Sequence, residues 1–222
     1  MSRAPYGDDL VQLWPASQVR GGDVPDRYLA PLEEILGWSE EFLVSGHPDL
    51  GRTGPVCPYT APSLRKDLFV LGMPVHDGGE TDMPALVSRL RTWHERISAT
   101  LDPRDRELLA LLMVLPHLDR EDSTELDELQ REAKDEFVAD GLMIGQFHPV
   151  CPQPGLWSHT FRPLRSPIPL LAVRQLLVFD LPFLVDVDVH IDEYLKRFAD
   201  AIPARMRDQL VARLTGGHLD VA

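Results

Sequence analysis

Four short apolar runs set the limits on what this chain can fold into. LFVLGM (68–73), LLALLMVLP (108–116), LMIGQF (142–147) and PLLAVRQLLVF (169–179) are each bounded by charge, glycine or proline. A run of this length suits a buried strand or a piece of buried helix. Pro116, and the strongly helical DSTELDELQREAKDEFVAD beyond it, favour strand for the second run. The last run is expected to break near Gln175, and the DLPFL that follows it reads as a short turn.

Between the runs lie amphipathic segments. A helix is expected from Asp26, with Leu29, Leu32, Leu36 and Leu43 near helical spacing and Gly46 past its end. A second is capped by Asp82 and carries Met83, Leu86, Leu90, Trp93 and Ile97 on one stripe. A third follows Ser123, turns Leu126, Leu129, Ala133 and Phe137 inward, and ends at Asp140-Gly141. A last helical region, Ile191 to Leu214, is interrupted at Pro203 and presents Tyr194, Phe198, Met206 and Leu210.

Strands and helices alternate at first, and two strands then come in succession. This order predicts an α+β fold: a mixed, largely antiparallel sheet of about four strands packed by helices, with an additional C-terminal helical segment. Residues 1–26, with Pro5, Pro15, Pro25 and Gly21-Gly22, read as an irregular arm, and 27–222 as one domain. Residues 46–66 read as a Pro/Gly loop, and His76, Asp77, Gly78 and Gly79 as a turn.

A net charge of −13 and a pI near 4.9 argue against a nucleic-acid surface and against anionic membranes. No apolar run approaches the roughly 20 residues that span a bilayer. MSRAPYGDDLVQLWP lacks the apolar core of a signal peptide, so a cytoplasmic location is expected. There the two cysteines stay thiols. P-loop, GxGxxG, HExxH and GxSxG motifs are missing from the sequence.

Side chains that bind things concentrate in GLMIGQFHPVCPQPGLWSHTFRPLRSP (141–167). His148, Cys151, His159, Arg162 and Arg165 sit there among five prolines, which leave the loop little entropy to lose on ordering. The letters PVCP recur upstream and place Cys57 in the same local frame as Cys151. His148 directly follows a strand and reads as a metal or haem ligand, as a general base, or as a histidine hydrogen-bonded at a strand end. Cys57 and Cys151 read as thiolate ligands or as small buried side chains. Cys57, His148, Cys151 and His159 together could supply a zinc set, although the short knuckles of structural zinc sites are missing. Arg162 and Arg165 suit a carboxylate or haem propionates, or else pair with surface acids.

Two weaker features remain. The acidic helix 121–140 reads as a solvated face. Asp186, Asp188, His190 and Asp192 could bind a cation, or form the acidic approach to a helix. If the strand after Cys57 and the strand before Cys151 are antiparallel neighbours, both PVCP loops reach one sheet edge and one pocket.

GPVCPY, GLMIGQFHP and PGLWSHTFRPLRSPIPLLAVRQLLVFDLPFL resemble an uncharacterised actinobacterial domain family of unknown function, over roughly residues 50–185. A looser similarity is to the YqcI/YcgG-type proteins, some of which look like haem-dependent N-oxygenases of amino acids; only Cys57 and its following strand align with them. That resemblance implies a haem-dependent oxidoreductase acting on a small amine or amino acid that carries a carboxylate. His148 would hold the iron, with Cys57 as alternative. Arg162, Arg165, Cys151 and His159 would surround the cofactor. A homodimer is compatible with this reading. The alternatives are a non-catalytic acidic protein-binding module without cofactor, and a zinc-binding Cys/His protein.

Overall fold

The computed structural model describes residues 4–75, 82–204, 206–208 and 211. The expected turn at His76–Gly79, and Leu210 and Leu214 of the last helix, lie outside the described residues. Six strands form one mixed sheet in the order β1-β2-β3-β4-β6-β5. They are β1 (Tyr6–Gly7), β2 (Val11–Pro15), β3 (Phe69–Pro74), β4 (Ala110–Val114), β5 (Leu142–Phe147) and β6 (Leu170–Gln175). All neighbours are antiparallel except β3 and β4. The helices are α1 (Ala16–Arg20), α2 (Asp26–Trp38), α3 (Thr60–Arg65), α4 (Met83–Ala99), α5 (Thr124–Ala139) and α6 (Asp188–Phe198). The fold is α+β, and the four expected strands are β3 to β6. None of the described helices is long and apolar enough to cross a membrane.

Both faces of the sheet are covered, which is why its middle strands read as unbroken apolar runs. Leu111 and Met113 of β4 face α4 and α5, and meet Leu86, Leu90, Leu126 and Phe137. Leu112 and Val114, on the alternate face, meet Tyr28, Leu32 and Ile35 of α2. Helix α4 starts where expected, because the Asp82 carboxylate accepts the Ala85 N–H at 2.9 Å. The predicted helix from Asp26 to Leu43 is two pieces, α2 and a π turn over Ser39–Leu43, with Ser39 Oγ donating to Ile35 O. Helix α3 occupies part of the predicted 46–66 loop.

The irregular N-terminal arm is corrected. Residues inside 1–26 form β1 and β2, and β2 pairs along its whole length with β3. Val11 and Leu13 enter one core and Trp14 the other, all fully buried. Pro15 ends the five-residue strand rather than breaking it, so the prolines hid a strand by bracketing it.

A third apolar cluster lies beyond the end of β6. Leu176, Leu181, Ile191 and Tyr194 pack there around Val138 of α5. The segment is tied back to the sheet by Arg174 and Asp180, whose two hydrogen bonds of 2.6 Å form a fork-to-fork pair. Asp180 also accepts the Leu177 N–H at 2.7 Å. Asp188 opens α6, as the acidic-approach reading expects, and His190 Nε2 of the same helix lies 2.7 Å from Asp135 Oδ1.

Gly72 tests the position of β2. It pairs with Leu13, and a Cβ added at Gly72 would stand 2.3 Å from Leu13 Cδ2 and 2.8 Å from Gln12 O. Backbone cannot give way as a side chain can. Gly72→Ala is expected to cost about 1–3 kcal/mol in urea denaturation, as overpacking does. An unchanged midpoint would contradict the β2–β3 pairing.

Candidate functional site

The Pro-rich loop is built from its own residues. His148 follows β5 directly; its N–H donates to Leu164 O and its carbonyl accepts the Cys151 N–H, both at 3.2 Å. The ring is 1% exposed, with Nε2 3.1 Å from Asp127 Oδ1 in the first turn of α5 and Nδ1 buried without a protein partner. Cys151 is fully buried. Burial pushes its thiol up, and the nearby Asp127 charge adds to this; a backbone hydrogen bond from Gln153 and the charges of Arg165 and Arg162 only partly offset it. It is a neutral thiol at neutral pH.

The two arginines satisfy their own loop. Arg162 Nη1 donates to His159 O at 2.5 Å and to Phe161 O at 3.1 Å, and Arg165 Nε donates to Cys151 O at 3.2 Å. The His159 side chain is exposed. Phe161 stacks on His47 with ring centroids 4.7 Å apart, which seats the loop on the segment after α2.

Strands β3 and β5 are not antiparallel neighbours: β4 and β6 separate them, and they run the same way. The pairing from which the two PVCP loops were expected to converge on one pocket is therefore corrected. Cys57 donates its N–H to Leu43 O at 2.8 Å and lies within electrostatic reach of Tyr59 and Arg174. Among the described residues, no three His, Cys, Asp or Glu side chains gather as a metal site would require, and Cys57, His148, Cys151 and His159 all belong to that described set. His148 Nε2 is held by Asp127 while Nδ1 stays without a protein partner, and Arg162 and Arg165 each donate to backbone carbonyls.

A better-formed site was missed. A cavity of about 620 Å³ opens at the opposite end of the sheet, where β5 begins and β6 ends. Arg91 and His94 of α4, Arg106, and Arg197 of α6 line it, together with Asp140 and Gly141 at the α5–β5 turn. Arg91 bridges Glu136 at 3.0 Å and Asp140 at 3.2 Å. Arg197 pairs with Glu193 at 2.8 Å and donates to Ala139 O. Gly141 has φ +76°, which favours glycine, and a Cβ there would stand 2.8 Å from Arg197 Nε, so the guanidinium would have to shift.

Two of the residues that line the cavity each hold a side-chain nitrogen buried without a hydrogen-bond partner: Arg106 Nε and His94 Nε2. Each such atom costs about 1–3 kcal/mol unless something satisfies it. His94 is 2% exposed, and burial lowers its pKa to about 4 although a hydrogen bond with the Leu109 backbone opposes this. Arg91, His94 and Glu95 at i, i+3 and i+4 could have flagged one face of α4. Arg106 and Arg197 carry no such sequence signal.

The sequence matches the family DUF6875, a domain of unknown function, over residues 32–209, and the chain belongs to that family. No curated protein matches it, and no solved structure does.

Two outcomes follow from these environments. Native protein treated with iodoacetamide should be alkylated at Cys57, with Cys151 reacting only in denaturant; peptide mass mapping reads this, and rapid labelling of Cys151 would contradict its burial. For His94, both folded and unfolded chains are neutral above pH 6.5, whereas between pH 6.5 and about 4 only the unfolded chain takes up the proton. Stability therefore falls as pH drops through that window. His94→Gln should remove about 2 kcal/mol of the loss seen between pH 7 and pH 5 in urea titrations. Identical pH dependence in both proteins would mean that the ring is not held neutral.

Proposed function

We propose that this domain binds a small organic anion, carried by a carboxylate, in the cavity between α4 and α6. The observation that supports it most is the convergence of three arginines, Arg91, Arg106 and Arg197, on one cavity. A guanidinium presents paired donors that match a carboxylate, and desolvation strengthens that pairing. Arg91 and Arg197 add positive charge on either side, although each is already paired with an acid. About 620 Å³ is within the usual range for small-molecule sites.

The sequence suggested a carboxylate-bearing ligand beside Arg162 and Arg165. The chemistry is kept and the place is moved, because those two arginines already serve the loop backbone while Arg106 does not. The acidic net charge makes the location selective: an anion is repelled by most of this surface and is favoured only where arginines converge.

Hydrocinnamate and its primary amide make a matched pair for the test. Calorimetry should detect the acid and not the amide, and Arg106→Gln should weaken the acid by about tenfold, the low end for a charge-assisted hydrogen bond. Added salt should weaken binding, since the lining arginines are partly exposed. Equal binding of acid and amide, or an affinity indifferent to Arg106→Gln, would overturn the reading.

A further inference from the structure

The Pro-rich loop leaves three large apolar side chains in solvent within eight positions: Val150 is 43% exposed, Leu156 39% and Trp157 46%. A lone exposed hydrophobe is ordinary, but an apolar cluster rimmed by polar groups marks an interaction surface. The loop that presents these side chains is already ordered. Phe161 stacks on His47, and a Cβ at Gly51 would stand 2.2 Å from Trp157 O, so the loop backbone lies directly against the segment after α2. A partner that docks there has little loop left to order.

The charge of this surface is opposite to that of the chain as a whole. Residues 141–179 contain three arginines and no Asp or Glu, in a protein of net charge −13. Arg162 and Arg165, and Arg52 next to Gly51, donate to backbone carbonyls, which satisfies N–H groups but neutralises no charge. The complementary surface is adjacent. Residues 117–140, which include α5, hold ten acids against three bases, and Glu121, Asp122, Glu125, Glu128 and Glu132 are exposed. His148 Nε2, 3.1 Å from Asp127 Oδ1, joins the loop to the first turn of that helix.

A basic apolar patch beside an acidic one becomes self-complementary about a two-fold axis between them: each loop meets the other copy's helix, and both patches are covered at once. We propose that a second copy of this chain docks on the Pro-rich loop, with Trp157 and Leu156 against the first turns of the other copy's α5 and Arg162 and Arg165 facing its acids. Elsewhere the net charge holds copies apart, which confines association to this pairing.

Sedimentation equilibrium up to about 0.5 mM should show the mass rising from one chain to two. Trp157→Ser, which removes the apolar anchor, should weaken the dimer about tenfold or more. Arg165→Glu alone, and the double variant Glu125→Arg/Glu128→Arg alone, should each do the same by setting like charges opposite one another. Mixing these two charge variants should restore the dimer, since every contact then pairs opposite charges; that recovery also shows that both are folded. Failure of the mixture to associate, or a dimer indifferent to Trp157→Ser, would overturn the proposal. So would a chain that stays monomeric at every concentration; if its Trp157 emission then responds to added poly-glutamate, the face belongs to a foreign acidic segment instead.

Discussion

Everything about where this molecule can bind follows from the parallel pairing of β3 with β4. Parallel neighbours cannot be joined by a tight turn; the chain must travel back along the sheet before it can re-enter in the same direction. Helix α4 makes that return. It begins near the end of β3 and its last turns reach the end of the sheet where β3 and β4 start. Its final two turns, with Arg91, His94 and Glu95, are thus delivered to the end where β5 also begins. The same crossover seals one face of the sheet, so Leu86 and Leu90 can meet Leu111 and Met113.

Much of this fold was legible in the residues, for reasons that are themselves physical. LMIGQF is a strand from end to end, and the Asp82 cap and Ser123 start appear where the sequence puts them. Such signals are local: a carboxylate beside free N–H groups, or an apolar run between breakers. Strand β2 failed the same test because five residues that end on a proline look like a loop until β3 is known to lie alongside. The order of the strands depended on pairing that no local pattern encodes.

The Pro-rich loop shows why a dense set of reactive residue types can also serve structure. Each proline removes a backbone donor while keeping its carbonyl. A stretch with five prolines is therefore short of N–H groups for its own oxygens. Arg162 and Arg165 supply donors to the His159, Phe161 and Cys151 carbonyls. These bonds help hold a donor-poor loop in one shape. The cavity residues gave no comparable signal, because Arg91, Arg106 and Arg197 come from three separated segments and meet only once α6 docks.

Gly141 joins two requirements that usually have nothing to do with each other. Its left-handed backbone ends α5, as glycines commonly do after helices. Its missing side chain is also the gap through which Arg197 reaches the cavity wall. A helix terminus can be rebuilt with asparagine at modest cost, but a side chain here would also push the Arg197 guanidinium aside. Positions 141 and 197 are therefore coupled: what stands at the first sets where the charge of the second can lie.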